Sequence, residues 1–129
     1  MLAIDTNIVV RYVVGDGGDE FVRSVNVVEN NRVSIAVTVV LETEWVLRDV
    51  YEFSRAEVLS TFMRLFGLPT VSVAEPRAVR RALDYAELGL DFADALHLAQ
   101  ATECEAFVTF DRRLARKAGR LAETRVRLA

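Results

Sequence analysis

Cysteine and histidine are almost missing from this chain: Cys104 and His97 are the only examples of each. One cysteine excludes an internal disulfide, and together the two residues cannot furnish the ligands of a zinc site from a single chain. Any metal bound here is therefore a hard one held by oxygen. Lysine is reduced to Lys117, and there are two prolines, six glycines and neither an internal repeat nor a low-complexity segment. Long apolar runs are absent too, because a charge interrupts every candidate before the about 18 residues that a membrane span needs. The start lacks the basic region and cleavage site of a secretory leader, and its apolar stretch is broken at Asp5 and Arg11. These absences predict a soluble, cytoplasmic protein with no membrane partner. What is present, 52% apolar residues in a length of 129, suffices for the core of one domain spanning residues 1–129.

The net charge of −3 argues against a polyanionic partner until its distribution is considered. From Thr109 onward, Arg112, Arg113, Arg116, Lys117, Arg120, Arg125 and Arg127 face only Asp111 and Glu123, a balance of +5 against −8 for the residues before. The basic tail is either a surface that follows a phosphate backbone or a solvated helix face.

The first seven residues, Met1 to Asn7, join an apolar run to a carboxylate and two small hydrogen-bonding side chains. They read as a short strand covered on both faces, ending at Asp5, with Thr6 or Asn7 capping a helix over Ile8 to Val14. Gly15 to Asp19 is a loop by composition. A helix over about Glu20 to Asn30 carries Phe21, Val25 and Val28 on one face. The strand Val33 to Val37 follows, and Thr38 is expected to cap a helix reaching about Val50, with Leu41, Trp45, Val46 and Leu47 as its apolar stripe. Glu42 then lies one turn in, near the strand end.

Ser54 and Glu57 have the spacing of a capping box and open a helix that stops near Gly67. Pro69 leads into the strand Thr70 to Val73. Pro76 sits in the first turn of a helix that closes around Leu88-Gly89. In Asp91-Phe92-Ala93-Asp94-Ala95-Leu96-His97, Asp91 can cap the next helix and Asp94 falls in its first turn, where the dipole favours both acids. Phe107 to Phe110 is a strand followed at once by Asp111, which can cap a helix over Arg112 to Ala118. Thr124 to Leu128 is a last short strand. The alternation predicts an α/β fold of three layers, α/β/α, with a mostly parallel sheet of about four to five strands.

Four acids occupy equivalent places: Asp5 and Glu42 after the first two strands, Asp94 at a helix start and Asp111 after the fourth strand. In a doubly wound fold these places converge at one end of the sheet. Clustered carboxylates raise one another's pKa, and a divalent cation relieves the repulsion. Oxygen-only ligation suits Mg²⁺ or Mn²⁺, which activate water and stabilise the oxygens of an in-line displacement at phosphorus. On this reading Asp5, on a central strand, stands with Glu42 and Asp94 about 4 to 7 Å apart, within metal-bridging reach.

The runs Ile4-Asp5-Thr6-Asn7, Thr38 to Glu42, Asp91 to His97 and Val108-Thr109-Phe110-Asp111-Arg112 together resemble the PIN domain family, in particular the VapC-like toxin ribonucleases of toxin–antitoxin pairs. The resemblance covers essentially the whole chain. It implies a PIN-like fold and an endoribonuclease dependent on Mg²⁺ or Mn²⁺, with Asp5, Glu42, Asp94 and Asp111 as its metal-binding catalytic acids. It further implies that Thr6, Asn7 and Thr109 orient the carboxylates, that an RNA substrate and a cognate antitoxin protein are the partners, and that the chain forms a homodimer.

Other residues have two readings each. Asp91 matches the family pattern, yet its capping role accounts for it. His97, one turn beyond Asp94, reaches the site or serves as a structural histidine. Trp45 and Phe92 can stack on an unpaired base, although helical spacing puts Trp45 in the core. Arg112, directly after the fourth acid, is the foremost phosphate contact, with Arg11 second. The stretch Val46 to Phe66 is richer in apolar residues than one core face needs, as an antitoxin or dimer surface would be. Two further functions compete: a catalytically silent PIN domain that binds RNA or protein, and a phosphoacceptor receiver domain, for which Lys117 is poorly placed on a late helix.

Overall fold

The computed structural model describes residues 1–119 and 121–129, so Arg120 of the basic tail lies outside the described residues. Among them are seven helices and five strands, and every strand pairing is parallel. The class is α/β, as the alternation of elements predicts. No helix among the described residues is long and apolar enough to cross a membrane. The chain divides into two compact units, Met1–Pro76 and Arg77–Ala129.

In the first unit the order is β1 (Leu2–Ile4), α1 (Thr6–Val14), α2 (Asp19–Asn30), β2 (Val33–Ile35), α3 (Val37–Asp49), α4 (Arg55–Phe66) and β3 (Val71–Val73). The sheet runs β1-β2-β3, with Leu2 opposite Val33 and Ile35 opposite both Ile4 and Val73. The middle strand of this sheet is thus β2 and not, as expected, the one that leads to Asp5. Its Val33 and Ile35 are fully buried, whereas Leu2 is 47% exposed, which corrects the reading of β1 as a strand covered on both faces. Val9, Val10, Val28, Val40, Leu47, Val58, Phe62 and Leu65 complete the core of this unit. Phe62 stacks on Phe66 with ring centroids 5.3 Å apart.

Local rules place most helix ends. The Ser54 hydroxyl accepts from the Glu57 N–H at 3.1 Å while the Glu57 carboxylate accepts from the Ser54 N–H at 2.9 Å, the reciprocal box that the spacing predicts. Those bonds hold the Glu57 carboxyl below its ordinary pKa. Gly15 closes α1 in the left-handed conformation that favours glycine. Elsewhere the expectations shift. Helix α3 starts at Val37 behind Ala36, which offers no side-chain cap, so Thr38 is a first-turn residue and not the cap. Strand pairing ends at Ile35, whose carbonyl accepts from Ala74, and the backbone turns there without needing a hydroxyl. The buried stripe of α3 is Val40, Thr43, Glu44 and Leu47, which leaves Trp45 off the stripe and 52% exposed. The core role expected for Trp45 is therefore withdrawn. Glu44 is buried with its charge met by Arg48, Nε to Oε2 at 2.6 Å and Nη2 to Oε1 at 3.3 Å.

The second unit contains α5 (Pro76–Glu87), α6 (Phe92–Ala99), β4 (Phe107–Thr109), α7 (Arg112–Ala118) and β5 (Val126–Leu128), with β4 and β5 paired from Phe107–Val126 to Thr109–Leu128. Buried residues at helical spacing on α5 are Val79, Ala82, Leu83 and Ala86; Phe92, Ala95, Leu96 and Ala99 are buried on α6. Leu114 and Ala118 do the same for α7. The segment before β5 is tied down by Glu123 N–H donating to the Tyr85 hydroxyl at 3.3 Å and by Thr124 donating to the Ala101 carbonyl at 3.2 Å.

Candidate functional site

In the first unit, two of the four acids belong to consecutive strand-to-helix passages. Asp5 follows β1 and is itself the N-cap of α1, its Oδ1 accepting from the Ile8 N–H at 3.1 Å. This corrects the assignment of the cap to Thr6 or Asn7, which are both helical. One lone pair of one carboxylate oxygen goes to the cap, and the exposed carboxylate keeps its remaining acceptor capacity. Thr6, buried in the first turn of α1, turns its hydroxyl to α3 and donates to Oε1 of Glu42. That bond links the end of β1 to an exposed acid in the second turn of α3. Asn7 faces elsewhere, lining a cavity of about 290 Å³ with Ile8, Arg11, Glu20, Arg23 and Ser24.

Arg11 is not a free cation. Its guanidinium donates to Asp16 at 3.0 Å and to Glu20 at 3.3 Å, and Tyr51 Oη lies 3.4 Å away. Tyr51 and then the two carboxylates raise its pKa. A phosphate at Arg11 would compete with two carboxylates, which tie α1 to Asp16 and to Glu20 of α2.

The second unit gathers three acids. Asp91 is the N-cap of α6 and accepts from the Asp94 N–H at 3.3 Å, as the capping reading expects. Asp94, half-buried in the first turn, has its pKa raised by desolvation first and then by the charges of Asp91 and Asp111, with His97 pulling the other way. Asp94 and Asp111 are therefore close enough to sense each other, although they arise from different elements. His97 is exposed, not packed, and sits one turn from Asp94. Phe92 is 5% exposed and belongs to the core, which removes it as a base-stacking residue.

Asp111 caps α7, its Oδ1 accepting from the N–H groups of Arg113 at 2.9 Å and Leu114 at 3.0 Å. Thr109 fixes the approach: its Oγ1 accepts from the Asp111 N–H at 3.0 Å. Arg112, Arg113 and Arg116 are exposed on α7 and form no ion pair among the described residues. Phe110, between Thr109 and Asp111, is 89% exposed. Its place in the strand pattern had pointed to nothing more than an apolar strand residue. The signal that could have marked it is the basic run directly after it.

The donor set is oxygen-only, as a hard divalent cation requires. Among the described residues, however, no group of three or more His, Cys, Asp or Glu side chains is gathered closely enough to hold a metal ion. Uncompensated carboxylates repel; Asp5, Asp91 and Asp111 are partly satisfied as caps and Glu42 by a hydroxyl.

The model of the PIN domain family matches residues 2–120. That span includes Asp5, Glu42, Asp94 and Asp111 with every element from β1 to α7. No curated protein matches the sequence.

Proposed function

The chain belongs to the PIN domain family, and from that premise we propose that it is a single nuclease domain acting as a divalent-metal-dependent endoribonuclease, the toxin of a toxin–antitoxin pair. PIN domains are generally nucleases that hydrolyse phosphodiester bonds, so nucleic acid is the substrate class. The observation that carries the finer reading is that Asp94 and Asp111, acids at the starts of the separate helices α6 and α7, sense each other's charge. Asp5 and Glu42, connected through Thr6, are the corresponding pair of the other unit.

In this reading Asp5, Glu42, Asp94 and Asp111 hold Mg²⁺ or Mn²⁺. When bound, such an ion would supply positive charge to the phosphate oxygens and lower the pKa of a bound water. The chain's own residues do the positioning: Thr6 orients Glu42, Thr109 sets the backbone of Asp111, and Arg112 meets a phosphate. Cytoplasmic location, a homodimer and an antitoxin partner complete the proposal. Val50 at 59% exposure and Met63 at 50%, in the stretch suggested for a partner, support an apolar protein contact there.

The test is RNA cleavage in Mg²⁺ and Mn²⁺ by the wild-type protein and by Asp5→Asn and Asp94→Asn. The variants should lose activity by orders of magnitude; equal cleavage by all three sinks the proposal. The second reading, a silent PIN domain that binds RNA or protein, is favoured by the caps at Asp5 and Asp111, which give two of the four acids a structural role. Calorimetric Mn²⁺ titration separates the two. A site that assembles around the ion binds it in the wild type and weakens by more than about tenfold on loss of one acid, whereas a silent domain binds no metal at the acids.

A further inference from the structure

Phe110 is more exposed than any other large apolar side chain described, at 89%, although nothing about phenylalanine favours water. The backbone beneath the ring is nevertheless pinned. Thr109 pairs with Leu128 in the parallel ladder, and its carbonyl accepts from Ala129 at 2.9 Å. Its hydroxyl accepts from Asp111 N–H, and the Asp111 carboxylate takes two amides of α7. The ring thus projects from a turn fixed on both sides, so a ligand that stacks on it orders little that is not already ordered.

The surroundings define that ligand. Asp111, which interacts with Asp94, is the next residue, and the exposed guanidinium groups of Arg112, Arg113 and Arg116 follow on α7. A flat apolar face, cations without ion pairs among the described residues, and the acids of the proposed site suit a ligand with a planar base and an anionic backbone. A duplex hides its base faces, whereas a single strand presents them. We infer that Phe110 is a stacking platform that seats one unpaired base of a single-stranded RNA beside Asp111, with the α7 arginines holding the adjoining phosphates. The inference rests on the nuclease reading for its choice of substrate, but stacking is measurable without cleavage.

The experiment is fluorescence anisotropy of a short labelled oligouridylate in EDTA, with a duplex as control, using the wild-type chain and Phe110→Ala, Phe110→Leu and Phe110→Trp. Loss of one base stack should weaken the single-strand affinity of the alanine and leucine variants about five- to a hundredfold, while tryptophan retains it. Circular dichroism checks that the variants remain folded, which the exposure of the ring favours. Wild-type affinity in the alanine and leucine variants overturns the inference, as does failure of the wild type to bind the single strand. A change in self-association with RNA affinity unaltered overturns it too, by making Phe110 a protein contact. Cleavage in Mg²⁺ is scored separately: Phe110-dependent binding without cleavage removes the nuclease reading alone, and cleavage with Phe110-independent binding removes this inference alone.

Discussion

Replacing Thr6 by valine keeps the shape of a buried side chain and removes the hydroxyl that donates to Glu42. A hydrogen bond to a charged acceptor contributes about 1.5–3 kcal/mol when both partners are desolvated. Glu42 is exposed, so water replaces much of the loss. The net cost should be about 1 kcal/mol, or about 3–5 °C in Tm for a chain of this size. The effect on function should be larger than the effect on stability, because Glu42 would be free to leave the place from which it is proposed to reach the metal. Loss of such an orienting partner lowers metal affinity or activity about 10- to 100-fold. The assay is RNA cleavage as a function of Mg²⁺ concentration for wild type, Thr6→Ser and Thr6→Val, beside thermal melts of all three. Serine should behave as the wild type. If Thr6→Val cleaves normally at every Mg²⁺ concentration, or if serine is as damaging as valine, the hydroxyl does not orient the site.

Asp94 gives a prediction with a sign. Its pKa is raised in the folded protein, above all by burial and then by Asp91 and Asp111, so between the ordinary aspartate value of 3.8 and the raised one the folded chain keeps a proton that the unfolded chain releases. Stability therefore falls as pH rises through that window, and the charged carboxylate carries the full cost at neutral pH. Asp94→Asn should raise Tm at pH 7 while abolishing cleavage, with the gain vanishing below the window; an unchanged or lower Tm at pH 7 contradicts this. In the core, Phe62→Ala should destabilise by about 3–5 kcal/mol and Phe62→Leu by less than about 1.5 kcal/mol, since Phe62 is 1% exposed and stacked on Phe66. Denaturant unfolding checks both, and a loss under about 1 kcal/mol for alanine would mean that the site collapses freely.

Features that depend on a few neighbouring residues were legible in the chain. The Ser54–Glu57 box, the stops at Gly15 and Gly67, the entry at Pro76 and the caps at Asp91 and Asp111 follow from local hydrogen bonding and backbone sterics. The acids after strands were legible for the same reason, because the alternation of strand and helix predicts where each strand ends. The Asp5 cap was misread since aspartate, threonine and asparagine all serve at an N-cap, and the backbone conformation chooses among them. Trp45 was misread because two of the four residues on the buried stripe of α3, Thr43 and Glu44, are polar, so apolarity alone pointed away from the buried face.

The sequence by itself therefore determined the α/β class, the order of elements and where each of the four candidate acids falls relative to them. Each is a property of composition or of spacing along the chain. Tertiary structure alone decided which face of α3 is buried, that Glu44 is buried with Arg48, that Arg11 is held by Asp16 and Glu20, and that Thr6 reaches Glu42 across 36 positions. It also decided that Phe110 stands in water beside Asp111. Burial and contact between distant residues depend on how the elements pack, and a periodic pattern fixes a face without saying what that face meets.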